Sequence, residues 1–171
     1  MQHTGRRPGT GGSPDARPRA GPTDADEPAI RDATDILARA EADRSEADRA
    51  RARFAAEPLP ALEPDAQVAP LIEPGEIVVA ERRSAVLDRR QNRSGTEASA
   101  GLGGRLYVTS RRLILVGRLT LSFDLAGITE VMLSGERLLV VSRDGGGFSL
   151  DVARPRLLRV EIAAARSAAA V

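Results

Sequence analysis

Two-residue alternation of apolar and polar side chains dominates the second half of the chain. In residues 118–125, Leu or Phe stands at every odd position and Arg, Thr, Ser or Asp at every even one. Such alternation is typical of an antiparallel strand with one buried face. Similar segments, separated by turn sequences rich in Gly, Ser and Asp, predict about seven short strands, the number of a sandwich or barrel. Seven of these segments are 76–81, 104–110, 112–117, 118–125, 128–133, 138–141 and 147–152, and 84–88 is a further candidate.

The period of the pattern changes after Asp151. Pro155 stands where a helix can begin, and no turn residue interrupts residues 155–169. Leu158 and Ile162 share one stripe, and Arg159 falls on the opposite side. The spacing predicts an amphipathic helix that covers the open end of the sheet, so that its deletion unfolds the domain. Glu161 falls inside the apolar arc of this helix, and the sequence offers no reason for it.

Three segments of different composition precede the strands. Residues 1–22 lack Ile, Leu, Val and Phe and predict a disordered basic tail. Residues 24–57 carry ten acids and six arginines at helical spacing and predict a charged helix. Residues 58–75 contain five prolines and predict a linker without regular structure. The folded domain therefore spans residues 76–171.

Composition excludes several kinds of chemistry. All 25 basic residues are arginine, as is typical of a high-GC genome, and they nearly cancel 24 acids, which argues against specific nucleic-acid binding. The chain has no cysteine, and its one histidine is His3. We find no nucleophile, base and orienting group together, so we expect no enzyme, no metal and no cofactor. No stretch approaches a membrane span or a secretory signal, which predicts a cytoplasmic location.

Two sequence pieces resemble the GRAM branch of the pleckstrin-homology-like (PH-like) fold. They are Glu73-Pro74-Gly75-Glu76 and the segment 104–115, with its core Leu-Tyr-Val-Thr-Ser-Arg-Arg-Leu. The segment 123–131 is also similar to this family, and the strand pair 138–143 and 147–152 with the following helix is similar to the family's C-terminal end. The resemblance, to a bacterial member, covers residues 72–170. It implies a mainly β, seven-stranded antiparallel bent barrel capped by a C-terminal helix. It also implies a non-catalytic module that binds protein segments or anionic lipid headgroups.

Arginines cluster between the first two predicted strands. Residues 82–93 hold five arginines and one aspartate, a net charge of +4. Headgroups bind at this connection in PH-like folds, and a guanidinium suits a phosphate, so the resemblance implies an anionic-ligand site. Its candidates are Arg83, Arg89, Arg90 and Arg93. A solvated loop explains the same charges. The glycine-rich residues 101–105 precede a strand instead of opening a helix, so we interpret them as a mobile loop and not as a phosphate loop.

The helix over 24–57 offers a second kind of surface. Ile30, Leu37 and Phe54 could enter the groove of a partner protein or form a coiled coil between copies of the chain. A weakly packed charged helix is the alternative. We therefore expect a protein-binding adaptor, with peripheral binding to anionic lipid at the inner face of the membrane as the alternative function.

Overall fold

The structure is a computed structural model that describes residues 26–89 and 101–169, with the side chains of residues 32–88 and 101–169. The chain divides into two units, Met1–Asp35 and Ile36–Val171. Of the first unit, only the helical residues 26–35 are described, so the predicted tail over 1–22 lies outside the described part. The elements are helices α1 (Asp26–Ala56) and α2 (Pro155–Ala169), strands β1 (Val78–Arg89), β2 (Leu102–Thr109), β3 (Arg112–Gly117), β4 (Thr120–Asp124), β5 (Ile128–Ser134), β6 (Arg137–Ser142) and β7 (Gly147–Val152), and 3-10 turns at Ala69–Leu71 and Leu125–Gly127.

The fold is mainly β, as predicted. All seven strands lie in one sheet of order β4-β3-β2-β1-β7-β6-β5, and every neighbouring pair is antiparallel. The two end strands, β4 and β5, do not pair with each other, so the sheet is not closed. This arrangement, with helix α2 after the last strand, is consistent with a bent PH-like barrel.

Strand β1 joins two segments that the sequence pattern separates. Its register against β2 shifts by one residue between Arg82 and Ala85, which is a β-bulge. The bulge changes which alternate residues face the core, from Ala80 before it to Ala85 and Leu87 after it. From Ala85 onward β1 also pairs with β7. The polar run 82–84 therefore marks a bend within one strand and not a break between two.

The main core lies between the inner face of the sheet and helix α2. Leu158 and Ile162 of α2 are fully buried, as the predicted stripe requires, and they pack with Leu106 and Leu115 from the central strands. The bounds of α2 match the predicted range. Phe123 and Phe148 meet in this core, with ring centroids 4.3 Å apart.

The proline-rich segment 58–75 packs against the outer face of the sheet. Val68 is fully buried against Val78, Tyr107 and Ile114, and Leu62 forms a β-bridge with Val78. Prolines interrupt regular structure here, as expected, but they leave room for one 3-10 turn and for apolar contacts. The segment is thus a cover for the outer face as well as a connection.

Two glycines of the predicted mobile loop are part of strand β2. A Cβ atom on Gly104 would lie 2.5 Å from the carbonyl oxygen of Val116 in β3. Real Cβ atoms do not approach backbone this closely, so glycine permits the close pairing of β2 with β3 at this point. Gly104 therefore serves strand packing, in keeping with the predicted strand 104–110, and for Gly103, which also lies in β2, the interpretation as a mobile loop is wrong.

Candidate functional site

The structure describes the side chain of one of the four candidate anion-binding arginines. Arg83 is exposed and lies in the bulge of β1. Arg89 is the last residue of β1, and its side chain lies outside the described part, as do Arg90 and Arg93. The described part of the structure therefore does not test whether these four arginines form one site.

Arg82, which adds to the charge of the predicted cluster, points into the molecule. Its Nη2 donates to Glu161 Oε2 at 2.6 Å, and both side chains are nearly buried. Burial raises the pKa of Glu161, and Arg82 opposes that rise. Arg82 Nε has no hydrogen-bond partner. The pair accounts for the acid within the apolar arc of α2, and it removes one charge from the surface.

The two sequence pieces that carry the family resemblance meet at a second buried acid. The Glu76 carboxylate accepts hydrogen bonds from Thr109 Oγ1, from Arg112 Nε and Nη2, and from the Glu73 backbone N–H. Although burial raises the pKa of Glu76, these donors, above all Arg112, lower it to about 2. Arg112 also donates to the Leu71 carbonyl. Because each polar group of the cluster has a hydrogen-bond partner, we interpret the cluster as structural. It connects residues 71–76 to the β2–β3 hairpin.

Of the three residues on α1 predicted to contact a partner, one packs within the chain itself. Phe54 packs with Ala47, Ala50 and Val160, and the guanidinium of Arg53 lies 4.8 Å from its ring centroid. Leu37 is 69% exposed. Ile30 lies in the helix, but its side chain is not described. Since Ala47, Ala50 and Phe54 face α2, the C-terminal half of α1 cannot offer the same stripe to a coiled-coil partner.

Asp43 of α1 caps helix α2. Its carboxylate is buried and accepts the backbone N–H groups of Arg156 and Leu157 at 2.8 and 3.0 Å. The residue that precedes the helix, Arg154, has no side-chain acceptor for them and adopts φ 58°. Arg154 pairs with Glu46 at 2.9 Å. An acid from α1 thus satisfies the first turn of α2, which sequence reasoning missed because the two lie far apart in the chain.

A groove of about 570 Å³ runs between the end of α1 and the outer side of α2. Its walls are mostly apolar or small. Arg51 and Arg159 stand on the two sides, and Glu57 lies at one end. Arg51 pairs with Asp48 on its own helix, whereas Arg159 forms no ion pair with any residue that the structure describes. The apolar lining comprises Phe54, Ala55, Pro58, Leu59, Val160, Ala163, Ala164 and Ala168.

Strand β5 forms one open edge of the sheet. It is seven residues long and pairs only with β6. Ser134 and Arg137 flank a two-residue turn, so they form a hydrogen-bonded pair. Hydrogen-bonded and non-hydrogen-bonded pairs alternate along an antiparallel ladder, so the N–H groups of Val131 and Leu133 point away from β6, towards the open edge. Met132 is 36% exposed on the outer face. Along this edge the only charged side chain is that of Glu130.

The turn between β3 and β4 exposes a basic and an apolar residue together. Leu119 is 60% exposed, and Arg118 beside it is exposed and forms no ion pair within the described residues. Both line a shallow depression with Gly101 and Gly103, at the start of β2. This turn therefore lies beside one end of the arginine-rich connection between β1 and β2.

Comparison with known proteins adds little to this geometry. No family model matches the chain, and no curated protein matches it. Among solved structures, the chain is similar to the C-terminal domain of an unknown protein from Leishmania infantum, with 18% identity and a TM-score of 0.35. That alignment covers 44% of this chain and 70% of the other. A similarity of this strength carries no argument.

Two features are absent from the residues that the structure describes. Neither α1 nor α2 has an apolar stretch of the length and hydropathy needed to cross a bilayer. Residues 26–89 and 101–169 also bring no three His, Asp or Glu side chains together in a group that could hold a metal ion.

Proposed function

We propose that this protein is a non-catalytic adaptor that binds an extended segment of a partner protein along strand β5. The observation that carries the proposal is the open edge of β5, with outward N–H groups at Val131 and Leu133 and a single charged side chain. Sheet edges in folded proteins are usually shielded by charge, proline or a covering element, because they pair readily with another strand. An edge left open in this way is suited to strand addition.

The family assignment is part of this proposal. We propose that the domain is a bacterial GRAM-type, PH-like module. The meeting of Glu76 with Thr109 and Arg112 supports it, since the two resembling sequence pieces form one buried cluster. The module would then bind its partner at the sheet edge and not in a catalytic pocket. This agrees with the sequence analysis, which finds no nucleophile placed together with a general base.

Strand addition is tested with the full chain and a displayed library of random peptides. The tightest peptide is synthesised, and backbone amide exchange is measured with and without it. We expect exchange at Val131 and Leu133 to slow by about tenfold or more, because each amide gains a hydrogen bond. The amides of β4 are the internal control. Peptides that protect β4 or neither edge would contradict the proposal.

A substitution on the outer face of β5 distinguishes peptide binding at this edge from non-specific hydrophobic binding elsewhere on the surface. Met132→Lys adds a charge that disfavours pairing with a second strand. We expect the affinity for the peptide to fall by about tenfold, which is the effect of one lost apolar contact. Leu119→Lys introduces the same residue at another exposed apolar position. Equal weakening by both substitutions would show that the peptide does not select β5.

Peripheral binding to anionic lipid is the second candidate function. The exposed pair Arg118 and Leu119 favours it, since a cation and an apolar side chain at one turn can contact headgroups and acyl chains together. Its arginines would be Arg83, Arg89, Arg90 and Arg93 with Arg118. Each basic residue contributes about 1 kcal/mol near an anionic surface, so these residues alone give weak attachment.

Vesicle co-sedimentation decides between lipid and protein binding. If lipid is the ligand, the full chain pellets with vesicles rich in phosphatidylserine at low salt, and high salt releases it. Changing Arg89, Arg90 and Arg93 to Glu then abolishes pelleting, while Met132→Lys leaves it intact. A chain that stays in the supernatant at low salt excludes the lipid function.

A further inference from the structure

The groove between α1 and α2 is apolar, open and bordered by arginine. Arg159 lines the groove, is exposed and has no ion-pair partner among the described residues. Ala163, one turn further along α2, is exposed and also lines the groove. A ligand that fits this surface has an apolar stripe and carries negative charge beside it.

The N-terminal part of α1 has that chemistry. Residues 26–37 contain four acids and one arginine, which gives a net charge of −3. Two large aliphatic side chains, Ile36 and Leu37, are 55% and 69% exposed. Residues 32–39 are exposed throughout. Exposed aliphatic residues of this size on an ordered helix are typical of a surface that another element covers.

The helix cannot cover its own groove. Leu37 and Phe54 are separated by 17 residues on one unbroken helix, which places them about 25 Å apart. Leu37 of one molecule can therefore contact the groove only in another molecule.

We propose that two copies of this chain dimerise through their α1 helices, with the acidic part of each helix docked in the α1–α2 groove of the other. The two helices run antiparallel about a two-fold axis, and the same contact occurs twice. Leu37 covers the apolar lining, and Asp32 and Asp35 approach Arg159. This arrangement differs from a coiled coil along residues 24–57, since the stripe of Ala47, Ala50 and Phe54 stays against α2.

The test uses two variants of the full chain, each of which removes one side of the contact. Leu37→Asp changes the docking helix, and Ala163→Glu fills the groove and repels an acidic partner. We expect light scattering to give twice 18.1 kDa for the natural chain, and the mass of a monomer for each variant alone. Each substitution should weaken dimerisation by about tenfold or more. Both positions are exposed, so each variant should remain folded, with the far-ultraviolet circular dichroism spectrum of the natural chain.

Mixing the two variants gives the sharper result. A mixed dimer keeps one intact contact, between the natural helix of the Ala163→Glu chain and the natural groove of the Leu37→Asp chain. We therefore expect the mixture to contain dimers at concentrations where each variant alone is monomeric. Leu119→Asp, at an exposed leucine on another surface, is the matched control and should leave the dimer intact.

Several results would overturn the proposal. They are a natural chain that is monomeric at about 100 μM, variants that remain dimeric, a Leu119→Asp chain that dissociates as the variants do, and a mixture that stays monomeric. The last result would show that the helix and the groove do not bind each other. Peptide binding at β5 is measured separately, so the two proposals succeed or fail independently.

Discussion

The domain contains two buried acid–arginine pairs, and their acids have opposite pKa shifts. The Glu76 carboxylate has four donors, and its pKa falls to about 2. The Glu161 carboxylate is shown with one donor, Arg82 Nη2, and burial raises its pKa. At Glu161 the effect of burial on the pKa exceeds that of its arginine, whereas at Glu76 several directed hydrogen bonds outweigh burial.

The two pairs also differ in how their arginines are satisfied. Arg112 reaches the Glu76 carboxylate and the Leu71 carbonyl, whereas Arg82 leaves its buried Nε without a partner. A fully satisfied polar cluster stabilises and specifies a fold, but a partly satisfied one contributes little. We therefore expect the first pair to be necessary for the domain and the second to be replaceable.

The largest expected effect is at Glu76. Glu76→Gln removes the negative charge and leaves Arg112 without its ion-pair partner, so we expect the free energy of unfolding to fall by about 3–5 kcal/mol. Urea unfolding of the full chain measures it. Glu73→Gln is the matched control, since Glu73 contacts the same Arg112 but is half exposed, and it should cost under about 1 kcal/mol. Equal losses in both variants would remove the distinction between the pairs.

A smaller effect is expected when Arg82 alone is replaced. Arg82→Met leaves Glu161 buried and unpaired, but this acid can take up a proton, so we expect a loss of about 2 kcal/mol. Adding Glu161→Leu should restore the stability of the natural chain or exceed it. The corresponding change of Glu76 to Leu and Arg112 to Met should remain destabilising, because the Glu73 backbone N–H and the Leu71 carbonyl lose their partners. Restored stability in both double variants would contradict the expectation that only the Arg82–Glu161 pair is replaceable.

The smallest effect is a difference in pH dependence. The pKa of Glu76 is lowered in the folded state, so its contribution to stability is complete above about pH 4.5 and is lost as the pH falls towards 2. The pKa of Glu161 is raised above 4.5, so its cost is absent below about pH 4.5 and grows as the pH rises through the folded value.

Unfolding curves between about pH 2.5 and pH 7 show both signs. The deficit of Glu76→Gln against the natural chain should shrink as the pH falls. The free energy of unfolding of Glu161→Gln, relative to that of the natural chain, should instead rise as the pH rises. Parallel slopes for the two variants would show that the two acids titrate alike.

Local patterns in the sequence predict the elements well. The alternation before Leu125 and the stripe through Leu158 and Ile162 depend on neighbours within a few residues, and the structure confirms both. The partners of Glu161 and Asp43 could not be predicted, because each contacts a segment far away in the chain. The bulge at Arg83 was missed for a related reason, since three polar residues look the same in a turn and in a bent strand.

The candidate site was less predictable than the fold. Charge alone placed Arg82 with the surface arginines, although Glu161 draws it inside. Phe54 was identified as an apolar contact residue, but the sequence does not show that Ala47, Ala50 and Val160 already cover part of it. A groove needs two helices whose relative placement is not a local property of either.

The cap that Asp43 provides has a consequence for the order of folding. It connects positions 113 apart in the chain, and all seven strands lie between them. Closing so long a loop is entropically costly, so this junction should form after the strands have paired. In native-state hydrogen exchange, the first turn of α2 should then exchange with the C-terminal half of α1 as one cooperative unit, ahead of the sheet.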